Sequence, residues 1–138
     1  MASAAPARLR SLHPDDWVRA AFVRLSDVGI EGVRVELLAR DLGATKGSFY
    51  WHFRDRSDLL ERMLARWEGD ELSSLDFVEG GAGAATRWAR FVQRTANPDR
   101  IRTEVGVRAW ARQDERVARR VTAVETKKAD SLPACSGM

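Results

Sequence analysis

Residues 46–53, Lys-Gly-Ser-Phe-Tyr-Trp-His-Phe, bring an ammonium, two hydroxyls, an indole and an imidazole within about two turns of a helix. Such groups can serve catalysis or recognition. His52 would act as a general base only with a partner, and no Ser, Cys or Asp stands around it at a triad-like or metal-like spacing. A phosphate contact or a packed ring is the expected use of His52, and His13, just before Pro14, reads as a helix-start residue. Glu31, Glu36 and Asp41 read as isolated acids on solvated faces, with no carboxylate pair among them. Nothing supports an enzyme. What remains is a set of hydrogen-bond donors with a definite geometry. With Phe49 at zero on a helical wheel, Phe53 falls about 40° away, Gly47 and Trp51 lie opposite, and Ser48 and Tyr50 flank. One face can pack inward while the other meets a polyanion, which is the pattern of a DNA-recognition helix.

The preceding residues supply the elements that would hold such a helix. Val35, Leu38, Ala39 and Leu42 recur at i, i+3, i+4 and i+7, predicting a short amphipathic helix over residues 35–42. Gly43 can take the positive φ that ends it, and Thr45 can cap the next helix by accepting from the Ser48 N–H. Two short helices joined by a Gly-containing turn form a helix-turn-helix, whose second member enters the major groove. Upstream, Pro14, Asp15 and Asp16 suit a first helical turn, and Val18, Ala21, Phe22, Leu25 and Val28 form one stripe before Gly29. Downstream, Asp55 and Asp58 read as a cap and its third-residue partner, opening a helix through Leu59, Leu60, Met63, Leu64 and Trp67. A helical head over residues 8–68 results.

Asp27-Val28-Gly29-Ile30-Glu31-Gly32, then Leu38-Ala39-Arg40-Asp41-Leu42-Gly43, then Gly47-Ser48-Phe49-Tyr50-Trp51-His52-Phe53 resembles the N-terminal domain of TetR-type transcriptional regulators. The resemblance covers about the first half of the chain, in matching order and spacing. It implies an all-α protein: a three-helix DNA-binding head with a helix-turn-helix, a long connecting helix, and a helical ligand-binding and dimerising lobe. It implies a homodimeric repressor in the cytoplasm that binds double-stranded operator DNA and is released by a small-molecule effector. By the same resemblance Lys46, Gly47 and Ser48 approach base edges, and Thr45 begins the recognition helix. Tyr50, His52 and Arg56 contact phosphates, and Trp51 packs against backbone or bases. Two positions depart from the pattern. Val33-Arg34 stands where the family usually has a hydroxyl residue; Arg34 can reach a phosphate but cannot cap a helix. Asp55 puts a carboxylate where a neutral cap is common, flanked by Arg54 and Arg56.

Composition is less telling. The 138-residue chain has a net charge of +3 and an isoelectric point near 9.6. Through Glu68 it carries 11 basic and 10 acidic side chains, so positive charge is not concentrated in the head. Residues 1–7 lack the apolar core of a signal peptide, and no apolar run approaches a membrane span. A single cysteine, Cys135, supports neither an internal disulfide nor a metal site, and no cofactor is expected.

In the second half, residues 69–138, Gly80-Gly81-Ala82-Gly83-Ala84 is a break. Residues 85–95 then carry Trp88, Phe91 and Val92 on one face. Asn97-Pro98-Asp99 precedes a stretch with Ile101, Val105, Val107 and Trp110, and Asp114 can cap a last helix holding Val117, Val121 and Val124. Trp67, Trp88 and Trp110 recur every 21 to 22 residues, read as tryptophans facing a shared core. By the resemblance, Trp88, Phe91 and Trp110 are the candidate ligand-pocket residues; an ordinary helical core is the competing account. From about residue 125 apolar periodicity disappears and an irregular tail is expected. The family normally continues with two long helices that pair with a second subunit, so the chain reads as a shortened member expected to dimerise poorly. A protein-interaction module with weak DNA binding is the alternative function.

Overall fold

A computed structural model of the chain describes residues 12–79 and 83–131, although side chains are described for only part of residues 74–95. Among these are seven α-helices and one 3-10 turn. They are α1 (Pro14–Val28), the turn Ile30–Gly32, α2 (Val35–Leu42), α3 (Lys46–His52), α4 (Arg56–Glu79), α5 (Ala84–Thr95), α6 (Pro98–Gln113) and α7 (Glu115–Ser131). The fold is all-α. The chain divides into two compact units between Met63 and Leu64, inside α4.

The first unit forms around a core that the 3.6-residue periodicity largely specifies. Val18, Ala21 and Leu25 of α1 are buried with Val35, Leu38 and Ala39 of α2, Phe49 of α3, Phe53, and Leu59 and Met63 of α4. Burying an aliphatic or aromatic side chain of this kind contributes about 1.5–3 kcal/mol. Two positions differ from the sequence reading. Val28 is 60% exposed, and Trp17, absent from the predicted stripe, is completely buried. The stripe of α1 therefore centres on residues 17, 18, 21 and 25, and Trp17 is its largest member. The indole N–H of Trp17 finds no hydrogen-bond partner, a penalty of about 1–3 kcal/mol.

Local signals set the helix ends. His13 is the α1 N-cap: its backbone N–H donates to Asp16 Oδ2 at 2.8 Å, and its Nδ1 accepts from the Asp15 N–H at 3.3 Å. Gly43 takes φ +65°, the left-handed conformation, and stops α2. At the start of α4, Asp55 Oδ1 accepts from the Asp58 N–H at 2.9 Å, while the Asp58 carboxylate reaches back to the Arg54 N–H at 3.0 Å. The reciprocal pair expected at residues 55 and 58 is present, with its return bond one residue upstream.

Asp41 is not an isolated acid. Arg24 of α1 grips it in a bidentate pair, Nε to Oδ2 at 2.7 Å and Nη2 to Oδ1 at 2.8 Å, the geometry in which an ion pair is strongest. Seventeen residues separate the two, so no helical spacing announces the pair.

In the second unit Leu64, Trp67, Val107, Trp110, Val117, Val121 and Val124 are buried. Here the cap expected at Asp114 is present, and Asn97, expected only as part of a break, is a cap as well. Asn97 Oδ1 accepts from the Asp99 and Arg100 N–H groups, and Asp114 Oδ1 accepts from the Arg116 N–H at 3.0 Å. The expected irregular tail from about residue 125 is corrected, because α7 continues to Ser131. Apolar periodicity misses what accompanies the extension. Glu125 accepts from Arg108 at 3.4 Å, and Lys128 bonds Glu71, a carboxylate only 3% exposed that also pairs with Arg100 at 2.5 Å. Trp67, Trp88 and Trp110 do not share a core either: Trp67 and Trp110 are buried while Trp88 is 66% exposed. Residues 1–11 and 132–138, with Cys135, lie outside the described residues, as do residues 80–82 of the glycine-rich break.

The Arg24 guanidinium hydrogen bonds hold the Asp41 carboxyl below its usual value, with burial opposing and the Arg24 charge assisting. A carboxyl whose folded pKa lies below its unfolded value of about 3.9 adds stability above that pH and loses it as pH falls through the lowered folded value. Asp41→Asn should therefore melt lower than wild type at pH 7, and the gap should narrow as pH falls below the unfolded value and through the lowered folded one. Thermal melts of both proteins across pH 2–7 check this; a gap independent of pH would contradict it.

Candidate nucleic-acid interface

α3 is built from a cap, a ring cluster and an abrupt stop. Thr45, extended at φ −104° and ψ 160°, caps it, its hydroxyl accepting from the Ser48 N–H at 3.1 Å. Phe53, at φ −129° and ψ 144°, ends it. Between them Phe49 is fully buried under three rings: Trp17 edge-on at 5.3 Å, Tyr50 edge-on at 5.1 Å and Phe53 stacked at 5.0 Å. Aromatic contacts of this geometry add about 0.5–1.5 kcal/mol each beyond area burial. Phe53 also lies under the Arg62 guanidinium at 5.6 Å.

With Phe49 and Phe53 turned inward, the rest of α3 faces out. Thr45, Lys46 and Gly47 are exposed, Ser48 and His52 half-buried, Tyr50 52% exposed and Trp51 84% exposed. An indole that exposed is unusual, since tryptophan is highly buried on average. Gly47 has an ordinary helical backbone, and a Cβ built there would meet only Thr45 Oγ1, at 3.7 Å. The internal packing of the head therefore gives no reason for glycine at this position, although glycine weakens a helix by about 1 kcal/mol. Lys46 Nζ lies 3.9 Å from Glu36 Oε2, at the start of α2, so Glu36 is not isolated as expected.

The two arginines assigned to this surface are exposed and also bond backbone carbonyls of the head. Arg56 donates from Nε to Val33 O at 2.6 Å and from Nη2 to Ile30 O at 2.9 Å. It ties the start of α4 to the turn ahead of α2 through two of its donors, while the residue as a whole stays exposed. Hydrogen bonds from charged groups contribute about 1.5–3 kcal/mol, and these two add to the backbone bonds that close the turn, among them Val33 N–H to Ile30 O at 3.1 Å. Arg34 stands at the α2 N-cap with no side-chain cap bond, as its chemistry requires, and its Nε donates to Glu31 O at 3.1 Å. Sequence reasoning missed the Arg56 contacts because a side-chain bond to a carbonyl 23 or 26 residues away leaves no pattern in the chain, whereas the Arg34 bond to Glu31 O spans only three residues.

The three candidate ligand-pocket residues are not brought together. Trp88 is 66% exposed and Trp110 is 3% exposed, while the Phe91 side chain lies outside the described residues. Trp110 falls on the buried stripe of α6 with Gly106 and Val107, which explains its place in a core. An open groove of about 330 Å³ in this unit is lined instead by Trp67, Asn97, Arg100 and Thr103 with the acids Asp70, Glu71 and Asp99. Among the described residues no helix is long and apolar enough to cross a membrane.

Residues 18–63 match the family model described as bacterial regulatory proteins, tetR family. Over 71 residues the chain is 32% identical to an HTH-type transcriptional repressor of Mycobacterium tuberculosis, a match covering 51% of this chain and 27% of that protein. Over 55 residues it is 36% identical to the class A tetracycline repressor protein from an Escherichia coli transposon, covering 40% of this chain and 26% of the repressor. The match thus spans about a quarter of the length of these curated relatives. A solved Rhodococcus sp. chain described as a TetR-family transcriptional regulator superposes with a TM-score of 0.61 at 25% identity, covering 86% of this chain and 68% of that one. Residues 18–63 thus carry a domain of the tetR family of bacterial regulatory proteins, and the helical fold is similar to that of a TetR-family transcriptional regulator.

Proposed function

We propose that the chain is a sequence-specific regulator of transcription that inserts α3 into the major groove of double-stranded operator DNA. The observation that carries this reading is the outward face of α3: a cation, hydroxyls, a bare backbone at Gly47 and an 84% exposed Trp51, all held rigid by the buried Phe49. Lys46 and Ser48 are positioned to meet base edges, and Lys46 can donate to guanine O6 or N7. Tyr50 and His52 set the register through phosphates, Trp51 packs against sugar or base, and Thr45 holds the helix start. Arg34 lies on the exposed side of the head and can add a phosphate contact. Repression relieved by a small molecule, and a homodimer that places two heads on a two-fold operator, complete the reading. Trp88, Phe91 and Trp110 were the sequence-derived pocket; the groove at Trp67 and Arg100 is the better place to look for an effector.

The second reading, a protein-interaction module with weak DNA binding, draws on Ile101 and Val105 of α6, which are 50% and 62% exposed. Salt separates the two. Phosphate contacts make DNA affinity fall steeply with ionic strength, whereas apolar association does not.

Three measurements probe the site, using a duplex selected from a random library. Lys46→Ala should cost about 1–3 kcal/mol on that duplex and relax base preference, while Tyr50→Phe should weaken selected and scrambled duplexes alike. Equal specificity ratios for wild type and Lys46→Ala would remove Lys46 from base reading. Gly47→Leu should leave the melting temperature unchanged or raised and abolish binding, because the added side chain holds the backbone away from the base edges. Retained affinity in that variant would show that no close approach occurs. Arg56→Ala should lower stability by about 1–3 kcal/mol in denaturant titrations without DNA, by removing both carbonyl bonds. A phosphate role for Arg56 would instead leave stability intact and reduce the salt slope by about 1.

A further inference from the structure

Glu36 places a negative charge where a polyanion is to dock. It is the second residue of α2, 60% exposed, and its Oε2 lies 3.9 Å from the Nζ of Lys46, itself 61% exposed. An ion pair this open to solvent contributes little to stability. An acid in the first turn suits the dipole of α2, but that effect does not require a position beside the lysine that opens α3. A carboxylate carried into the groove among phosphates weakens binding unless a donor meets it.

The major groove offers two such donors, the N4 amino group of cytosine and the N6 amino group of adenine. Guanine presents only acceptors there, and thymine an acceptor and a methyl group, so both reject a carboxylate. Adenine carries the N7 acceptor beside its amino group, which repels the second carboxylate oxygen, whereas cytosine has no acceptor there. The carboxylate and the ammonium lie 3.9 Å apart, so the bases they reach are neighbours in the groove. We infer, resting on the reading that α3 enters the major groove, that Glu36 is a specificity-determining residue that accepts from a cytosine one base pair away from the guanine met by Lys46. The pair carries no net charge, so it adds little to binding at arbitrary sequence and discriminates at the correct one. Away from that site the carboxylate stands unpaired against thymine and guanine and weakens the complex.

Selection from a randomised duplex library, with the full chain as wild type, Glu36→Gln and Glu36→Ala, tests this, followed by titrations on single-base variants of the selected duplex. Wild type should select a guanine with a cytosine on the neighbouring base pair. Glutamine pairs with adenine N6 and N7 where glutamate accepts from cytosine, so Glu36→Gln should prefer adenine at that one position. The cytosine-to-adenine affinity ratio should change about tenfold or more, with the guanine preference unmoved. Glu36→Ala should lose the preference at that position without acquiring another. Thermal melts of the two variants, both altered at an exposed position, should match wild type and confirm that the fold is intact. An unchanged consensus for Glu36→Gln would overturn the inference while leaving DNA binding in place. So would a uniform gain in affinity on every duplex, which would make Glu36 a repulsive charge only. Wild type that enriches no sequence would instead overturn the DNA-binding reading and this inference together.

Discussion

Phe49 is a side chain with no polar atom, yet its burial decides how every polar group around it is displayed. Trp17 and Tyr50 meet it edge-on and Phe53 stacks on it, so α3 is fixed in rotation about its own axis. A seven-residue helix has too few internal hydrogen bonds to be stable by itself. It exists because its cap at Thr45 satisfies one end and its aromatic face is buried. Once Phe49 and Phe53 point inward, the 100° step between residues turns Gly47, Tyr50 and Trp51 outward. A loss of rotation at this one contact would scatter the donors of the outer face.

Arginine chemistry secures the rest of the head. Arg24 locks α1 to α2 through Asp41, and Arg56 closes the turn Ile30–Gly32 from the start of α4. Both use two donors of the guanidinium fork on fixed acceptors, which a lysine could not reproduce. Cations of the head are therefore not all free for an external partner. This is consistent with a head whose charge is nearly balanced.

The second unit relies on a different device. Glu68 is held by Arg120, with Nη2 to Oε1 at 2.5 Å and Nε to Oε2 at 2.9 Å, while Glu71 is held by Arg100 and Lys128. Trp67 donates to Glu104 at 3.3 Å. These contacts tie the second half of α4 to α6 and α7. A carboxylate as buried as Glu71 would be strongly destabilising without both partners, so the arrangement favours one packing of these helices over its alternatives. The thin apolar stripe of α7, three valines, is supplemented by charge pairing along the rest of its length.

The amino-acid sequence by itself determined the elements and the direction of the outer face of α3. Gly43, Thr45, Asp55 and Asp114 act on backbone groups within a few residues, and the spacing of Phe49 and Phe53 is set by helix geometry, so all were legible from order alone. Only the tertiary structure decided the long-range partners. Arg56, expected at a phosphate, also braces the turn through Ile30 O and Val33 O, Asp41 and Glu36, expected as solvated acids, are paired, and Trp110, for which the sequence allows pocket or core, is buried. The extension of α7 past Val124 belongs to the same class, because Lys128 meets Glu71 57 residues away. Hydrogen bonds and ion pairs between distant residues impose no periodicity on the chain, so they become visible only when folding has brought their atoms together.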